Sequence, residues 1–265
     1  MNGTQQTSRA ASAARFEDDR VWRLAARTWS DLRIQAMCDL VDPATASVLE
    51  VGCGDGAVAR AVGAKLGPGV RLVGLDRARP GLVRFSAIGP ALRGDIDALP
   101  LAAASCDLVI ASEVLEHLPD PVLAAAAREL MRVARRDLLV SVPDREDLAR
   151  ERMRCDRCGG FFNAFGHVQS FALADLDRLF AGWTRVGATT AGPRRRYHPL
   201  LLALRHRVGL YGYDASAVCS HCGNAELPNR EHHPVRLVCD FVNTLTHLRK
   251  REGYWVIARY RRPAP

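Results

Sequence analysis

The sequence predicts an α/β fold with a mostly parallel β-sheet and helices on both of its faces. Short apolar segments alternate with amphipathic stretches of ten or more residues, and a glycine-rich turn joins the first apolar segment to the first helix. A parallel pair of strands needs a crossover of about a dozen residues, so this alternation favours a doubly wound sheet. The central strands are predicted at 47–52, 70–76, 106–112 and 137–143, and the central helices at 56–67 and 121–134.

Further elements extend this core to seven strands. Additional strands are expected at 91–96, 184–192 and 254–262, and additional helices at 80–88, 172–183 and 238–248. Residues 17–41 have the apolar spacing of an amphipathic helix, which ends at Asp42-Pro43. We therefore expect an N-terminal tail and helix over 1–46 and one domain over 47–265.

The composition limits the class of protein. The 265 residues are 48% hydrophobic, which suits a globular domain with small appendages. No run of about 18 apolar residues predicts a membrane span, and the polar N-terminal segment lacks the apolar stretch of a secretory signal, so we expect a cytoplasmic protein. The net charge of +8 predicts an anionic partner, such as a phosphorylated substrate, nucleic acid or a membrane surface, or else a solvated basic surface.

The segment "VLEVGCGDGAVA" predicts a site for an adenosine-bearing cofactor. Its glycines, Gly52, Gly54 and Gly56, let the backbone turn sharply and approach a ligand, and the helix that follows offers free N–H groups at its N-terminus. Asp76 ends the next strand. A carboxylate at that position can accept hydrogen bonds from both ribose hydroxyls. In the alternative interpretation, the glycines form only a tight turn and Asp76 caps a helix.

Four successive motifs carry a resemblance to a known family: "VLEVGCGDG", "GLD", "GDIDALPL" and "CDLVIASEVLEHLPDP". Their order and spacing resemble those of class I S-adenosylmethionine (SAM)-dependent methyltransferases of the small-molecule, quinone-biosynthesis-like type, which have a Rossmann-like seven-stranded sheet. The resemblance covers residues 47–143. It implies that Glu50 and the glycines hold the methionine part, Asp76 the ribose, and Asp95 with Ile96 the adenine, while Ser112 and Glu113 line the substrate side.

The segment "EVLEHLPD" supplies candidate catalytic residues at the carboxyl edge of the sheet. His117 is a candidate general base, because histidine has an unperturbed pKa of about 6.5, and Glu113 lies on the same segment. The Glu-x-x-Glu-His array also resembles the metal-binding array of some quinone and small-RNA methyltransferases, which implies a divalent cation such as Mg²⁺ at Glu113, Glu116 and His117, with His167 joining it. In the plainer interpretation, His117 only shapes the pocket, and His167 is structural or contacts the substrate.

Two CxxC pairs lie in irregular insertions, 144–165 and 193–234, that interrupt the alternation. The pairs are Cys155 with Cys158 and Cys219 with Cys222. Each pair is followed by glycine, and two such turns can complete a tetrahedral site, so we predict a structural Zn²⁺ in a small insertion lobe. The alternatives are a redox pair, or replacement of one cysteine ligand by His221, His232 or His233. The other cysteines are predicted to be small core residues: Cys38, Cys53, Cys106 and Cys239.

The segment 192–213 combines Arg194–Arg196, an apolar run, and the basic residues Arg205 to Arg207. It leaves four interpretations open. These are a packed helix with a solvated basic edge, a lid that grips an anionic group such as a diphosphate, an interfacial helix on a membrane, and an RNA contact.

Together, these features predict SAM-dependent methylation at oxygen of a small or medium metabolite, such as a sugar unit or a secondary metabolite, with an anionic or glycosylated acceptor as the partner. An RNA methyltransferase that uses the basic zinc lobe is disfavoured, because only 6% of the residues are aromatic. A non-catalytic zinc-binding module on a methyltransferase fold is the third alternative. The complete set of cofactor motif residues argues against it.

Overall fold

The computed structural model describes residue 17 and residues 30–193, 197–212, 217–228, 230, 232–247 and 253–264. Nine strands lie within these ranges. They are β1 Ser47–Val51, β2 Arg71–Asp76, β3 Ala91–Arg93, β4 Cys106–Ser112, β5 Ala134–Pro143, β6 Arg152–Arg154, β7 Phe161–Asn163, β8 Thr184–Pro193 and β9 Gly253–Arg261.

Seven of these strands form one sheet in the order β3-β2-β1-β4-β5-β9-β8. The first five are parallel neighbours, whereas β9 runs antiparallel to both β5 and β8. β1 is buried along its whole length, and β4 nearly so, because helices cover both faces of the central strands. The remaining strands, β6 and β7, pair with each other as a separate hairpin.

Helices pack on both faces of the sheet. They are α1 Ser30–Leu40, α2 Ala57–Leu66, α3 Arg79–Phe85, α4 Asp120–Val133 and α5 Leu173–Leu179. Two further helices, α6 Pro199–Arg207 and α7 Pro234–His247, contact each other. Met37 of α1 and Val62 of α2 join Ile110 in one apolar cluster, whereas Leu130 of α4 joins Val109 in another. Because neighbouring side chains of a strand point to opposite faces, these two clusters are the cores above and below the sheet.

The predicted fold class is confirmed, with seven strands and helices on both faces. The predicted N-terminal helix is described only in its second half, α1, because residues 18–29 lie outside the described residues. The boundary at residue 46 stays a prediction. The helix expected from residue 238 begins four residues earlier, at Pro234. Among the described residues, no helix has the length and apolar character needed to cross a bilayer.

Both irregular insertions contain regular elements that their composition did not predict. The hairpin β6–β7 lies in the first insertion and α6 in the second. The two insertions contact each other, since the Gly212 N–H donates to the Arg152 carbonyl over 2.8 Å and the ring centroids of Phe161 and Tyr211 are 5.3 Å apart. We call residues 144–170 together with the described part of 197–247 the lobe.

Candidate functional site

The glycine-rich turn lies between β1 and α2, at the carboxyl edge of the parallel strands. Gly52, Gly54 and Gly56 all have positive φ angles, of 69°, 51° and 75°. A Cβ atom on Gly52 would lie 2.3 Å from Val114, and one on Gly56 would lie 2.3 Å from Ile88. Glycine is therefore required at these two positions both by the left-handed backbone and by close packing against the chain itself.

Two buried carboxylates fix this turn. Asp76 accepts the Gly54 N–H (2.9 Å) on one oxygen and the Ala78 N–H (2.8 Å) on the other. Glu50 accepts the Ala59 N–H from the first turn of α2 over 2.9 Å. Burial raises the pKa of Glu50 to about 8, and it also raises the pKa of Asp76. Both acids thus tie the turn to the neighbouring strand and helix.

The other residues predicted to meet the cofactor follow the same sheet edge. Ile96 and Ser112 are each 8% exposed, whereas the half-exposed Asp95 lies 3.4 Å from the Arg77 guanidinium. Ser112 is the last residue of β4, and Ile96 follows β3. Because β3, β2, β1 and β4 are consecutive neighbours, these side chains and Asp76 lie on both sides of the glycine turn. The assignment of adenine, ribose and methionine along this edge stays a prediction.

Glu113 directly follows β4 and has a left-handed backbone, with φ at 58°. One of its carboxylate oxygens accepts the Trp255 indole N–H over 2.6 Å, and the other accepts the Ser141 hydroxyl over 3.3 Å. The Arg33 guanidinium of α1 lies 3.7 Å from this second oxygen and donates a hydrogen bond to Ser112. Glu113 is therefore held in one orientation by three separate parts of the chain.

Glu116, His117 and His167 form a compact cluster next to Glu113. One ligand atom from each of the three side chains lies within 4.8 Å of the other two. Glu116 is fully buried, and no described residue donates a hydrogen bond to either of its carboxylate oxygens. Burial raises the pKa of Glu116 well above its ordinary value, and the neighbouring Glu113 carboxylate raises it further. The carboxyl group of Glu116 is therefore favoured in its protonated form unless a cation lies close to it.

The two imidazole rings are oriented by their Nδ1 atoms. Nδ1 of His117 lies 3.3 Å from the Gly166 carbonyl oxygen, and Nδ1 of His167 lies 2.5 Å from a Glu146 carboxylate oxygen. Burial raises the pKa of Glu146 to about 7. A backbone carbonyl or a carboxylate against one ring nitrogen is the arrangement that orients histidine ligands of metals. The predicted association of His167 with the "EVLEH" segment is thus present in the structure.

The four cysteines of the CxxC pairs converge in the lobe. Cys155 lies 3.7 Å from Cys222 and Cys158 lies 3.7 Å from Cys219, measured between sulfur atoms. These distances are far longer than a disulfide bond of about 2.05 Å. Burial opposes ionisation of Cys155, but hydrogen bonds from backbone N–H groups of its own turn and from the side chains of Cys222 and Asn224 together lower its pKa to about 6. The four cysteines form one cluster that could hold a metal ion.

The two cysteine turns have the same backbone geometry. Gly159 and Gly223 each have φ at 71°, and each N–H donates over 2.9 Å to the carbonyl of the first cysteine of its pair. The first turn closes the hairpin β6–β7, whose last residue, Asn163, accepts the His167 N–H on its side chain over 3.2 Å. The cysteine cluster and His167 therefore lie on one continuous piece of structure.

A model of the methyltransferase domain family matches residues 21–183. That range is more than half of the 265 residues. The chain belongs to this methyltransferase family. Solved structures of SAM-dependent methyltransferases share its fold.

The methyltransferase is similar to several known proteins. Nocamycin O-methyltransferase of Saccharothrix syringae is 38% identical over 107 residues, which are 36% of this chain and only 38% of that protein. The Haloferax volcanii complex between the Trm112 activator and a methyltransferase has a TM-score of 0.56 at 16% identity, covering 88% of this chain and 89% of that one. The [4+2]-cyclase SpnF has a TM-score of 0.54 at 19% identity, covering 89% and 81%. Identities this low show the shared fold alone.

Three side chains of the methyltransferase site were not predicted from the sequence. Arg33, Glu146 and Trp255 lie far from the "EVLEH" segment in the chain, and α1, the end of β5 and the start of β9 bring them together. Glu146 carried a usable signal, since it closely follows a predicted strand at the carboxyl edge. No comparable local signal marks Arg33 or Trp255.

Proposed function

We propose that the protein transfers a methyl group from SAM to a hydroxyl oxygen of a small metabolite, with a divalent transition-metal ion held by Glu116, His117 and His167. The observation that carries this proposal is the Glu116 carboxylate, which is fully buried without a hydrogen-bond donor among the described residues. Burying a charged carboxylate without a partner is costly. Two imidazoles with ligand atoms within 4.8 Å make a shared cation the best partner for it.

The glycine turn and its carboxylates support SAM as the cofactor. SAM supplies an electrophilic methyl group when bound. We assign its methionine part to Glu50, Gly52, Gly54 and Gly56 near the N-terminus of α2, where free N–H groups can receive the carboxylate. Asp76 is assigned to the ribose, since each of its oxygens keeps a lone pair beyond the backbone hydrogen bond. Asp95 and Ile96 are assigned to the adenine, and Ser112 to the substrate side.

The donor set favours Zn²⁺, Fe²⁺ or Mn²⁺ over the Mg²⁺ ion expected from the sequence. Mg²⁺ prefers oxygen ligands, whereas two imidazoles and a carboxylate suit transition metals. The Gly166 carbonyl and the Glu146 carboxylate support this choice, because they orient the two rings as ligands. When bound, such an ion would lower the pKa of a nearby acceptor hydroxyl, so that its proton would pass to water and its oxygen would take the methyl group while S-adenosylhomocysteine leaves.

The proposed metal site changes the roles expected for His117 and Glu113 from the sequence. His117 acts as a ligand in place of a general base, and Glu146 keeps the proton of His167 on Nδ1. Glu113 is a positioning residue, because its two oxygens are engaged by Trp255 and Ser141. Its left-handed backbone directs the chain from β4 into the turn that carries Glu116 and His117.

A secondary metabolite is the proposed class of acceptor. The partial match to nocamycin O-methyltransferase supports both this class and oxygen as the methylated atom. The net charge of +8 supports an acceptor that bears a negative charge or an anionic sugar unit.

The four cysteines are proposed to bind a structural Zn²⁺. A tetrahedral site with Zn–S bonds of about 2.3 Å separates its sulfur atoms by about 3.8 Å, close to the 3.7 Å found for both sulfur pairs. Four thiolates leave no open coordination position. This ion would therefore hold the lobe together and take no part in the chemistry.

The test uses the full chain with labelled SAM and a panel of phenolic, catecholic and sugar-bearing acceptors. His167→Ala is expected to lower kcat by about 100-fold or more, because it removes one ligand of the assisting ion. Elemental analysis should find two metal ions per chain in the unchanged protein and one in the variant. The affinity for SAM, measured by calorimetry, should stay the same, because His167 lies outside the glycine turn.

His232→Ala is the matched control, since His232 is an exposed lobe histidine outside the cluster. It should leave the metal content, SAM affinity and rate unchanged. A His167→Ala variant that keeps both ions would contradict the second metal site. SAM binding without transfer to any acceptor of the panel would contradict the proposed acceptor class, and transfer to RNA would favour the nucleic-acid alternative.

A further inference from the structure

Helix α7 packs with its polar side inward and its apolar side outward. Its inward positions are Arg236, Cys239, Asp240 and Asn243, of which Cys239 and Asn243 are buried. Its outward positions are strongly exposed: Leu237 (51%), Val238 (62%), Phe241 (65%), Val242 (38%) and Leu245 (54%). With about 100° between successive residues, the two sets lie on opposite sides of the helix. A surface helix of a globular protein normally has the reverse arrangement.

The inward side is fixed by specific polar contacts. Asp240 accepts the Tyr197 hydroxyl over 2.7 Å and lies 3.4 Å from the Arg205 guanidinium. Asn243 accepts the His198 N–H over 2.7 Å, and Arg236 donates to the Tyr211 carbonyl over 3.3 Å. These contacts involve α6 and its flanking residues. The helix cannot rotate its apolar side inward without losing all of them.

Helix α6 extends the same kind of surface. Leu200 is 74% exposed, Leu204 is 45% exposed, and Val208 just beyond the helix is 47% exposed. Arg205 of α6, by contrast, is only 4% exposed. The α6–α7 pair therefore presents apolar residues to the outside and buries charged ones. An apolar surface of this kind marks a binding surface in a soluble protein.

The segment of sequence that carries these helices is basic. Residues 193–252 contain ten arginines and lysines against five acids, so this stretch carries +5 of the net charge of +8. On the two helices themselves, Asp240 is the one acidic residue in the sequence, and it is paired with Arg205 and Arg236. Arg207 at the end of α6 is exposed. Exposed apolar side chains within a basic region are typical of helices that lie on anionic membranes.

We propose that the α6–α7 face docks on the surface of an anionic lipid bilayer. The exposed side chains of Leu200, Leu204, Phe241 and Leu245 enter the boundary between headgroups and acyl chains, and the net positive charge of the segment 193–252, which includes the exposed Arg207, attracts the anionic headgroups. A second copy of the chain fits this surface less well, because two copies of a segment with a net charge of +5 would repel each other. The inference does not depend on the proposed function, since it concerns neither SAM nor the acceptor.

The experiment measures co-sedimentation of the full chain with vesicles of phosphatidylcholine, with and without phosphatidylglycerol, at low and high salt. We expect binding to the anionic vesicles that weakens as salt screens the charges. The double variant F241S/L245S should lower the bound fraction by about tenfold or more, because it removes two large apolar side chains from the face. The matched control is V83S/V186S, since Val83 (64%) and Val186 (46%) are also exposed but lie outside α6 and α7. It should bind as the unchanged protein does.

Three results would overturn the proposal. One is equal vesicle binding by F241S/L245S and by V83S/V186S. Another is equal binding to neutral and anionic vesicles. The third is a lack of vesicle binding combined with a concentration-dependent dimer that F241S/L245S dissociates, which would assign the face to a second copy. An unchanged melting temperature of F241S/L245S confirms that the variant is folded.

Discussion

Residues 47–143 leave one large apolar side chain strongly exposed, Val83, whereas the described residues of 199–247 leave eight exposed. The first region is the sheet with its flanking helices, and the second contains most of the lobe. In the sheet, entire strands are buried and β4 contributes side chains to the cores on both faces. In the lobe, the buried apolar cluster is small, with six residues that include Cys155 and Cys219 themselves.

The lobe substitutes other interactions for the missing core. Four cysteine sulfurs converge, and cations stack on aromatic rings, with the Arg152 guanidinium 4.0 Å from the Phe161 ring centroid and that of Arg205 5.0 Å from Tyr197. A region with so little buried apolar surface needs a metal or a comparable cross-link to be stable. The two regions are therefore expected to respond differently to the same kind of change.

The largest expected effect comes from the cysteines. In the double variant C155S/C219S, the lobe should lose its order, because a structural zinc site supplies folding free energy directly. The His167 segment continues from the hairpin β6–β7, so methyl transfer should fall by about 100-fold or more. The affinity for SAM should change by less than about threefold, since the glycine turn lies on the sheet. Limited proteolysis, calorimetry and rate measurements check these three outcomes.

Cys106→Ser is the control for this variant. Cys106 is buried in β4 at 6% exposure and lies outside the cysteine cluster. Its replacement should cost stability without changing the zinc content or the protease sensitivity of the lobe. A C155S/C219S protein whose lobe stays as resistant to protease as the unchanged protein would show that the cysteines do not hold the lobe.

An intermediate effect is expected for Gly56→Ala, which acts on the sheet region alone. The new Cβ would meet Ile88 at 2.3 Å and Phe85 at 2.7 Å, on a backbone with φ at 75°. Strain and overpacking together should lower the free energy of unfolding by about 3 kcal/mol. SAM binding should weaken as well, whereas the zinc content should stay at one structural ion. Urea unfolding measures the first effect and calorimetry the second.

Gly67→Ala separates strain from packing. Gly67 also has a positive φ, 83°, but a Cβ there has no heavy atom within 4 Å. Its ψ of −175° lies in a region that essentially only glycine adopts, so Gly67→Ala should cost about 1–3 kcal/mol of strain without overpacking. A larger loss of stability for Gly67→Ala than for Gly56→Ala would show that close packing at the turn adds little.

The contrast between the regions also explains what the sequence could predict. The strand, glycine turn and helix at 47–66 are specified by neighbouring residues, so the fold and the cofactor turn followed from local patterns. The cysteine cluster was also predictable, because each pair forms its own turn and the proposed tetrahedral metal site would require the two turns to meet. Arg33 and Trp255 had no such signal, since only the packing of α1 and the pairing of β9 bring them to Glu113.

Helix α7 shows a different limit of sequence interpretation. Its apolar periodicity predicts a helix with one apolar face, and the helix is present. Periodicity identifies a face but not the direction in which that face points. The direction is set by the contacts of Asp240 and Asn243 with residues 197–205, which are distant in the sequence. A buried polar network in a small lobe can thus reverse the usual orientation of an amphipathic helix.

The smallest effect is expected for a charge at the edge of the sheet region. Asp42 accepts hydrogen bonds from Arg259 (3.0 Å) and Arg261 (2.9 Å), and its side chain is 24% exposed. The Ala44 N–H, together with these arginines, lowers the pKa of Asp42 from 3.8 to about 2. The charged form therefore stabilises the fold above pH 3.8, and this contribution disappears as the pH falls through 2. Asp42→Asn should cost about 1 kcal/mol at pH 7 after solvent screening, and about half of that at pH 3.

Urea unfolding at the two pH values measures this difference. Asn keeps an oxygen for the Ala44 N–H, so the variant removes the charge while it preserves the turn. Asp39→Asn is the control, because Asp39 is an exposed residue of α1 hydrogen-bonded to Gln35, and it should change stability by less than about 0.5 kcal/mol at both pH values. A loss for Asp42→Asn as large as that for Gly56→Ala would mean that charge, and not packing, dominates the stability of the sheet region. The distinction between a sheet stabilised by its apolar core and a lobe stabilised by other interactions would then no longer hold.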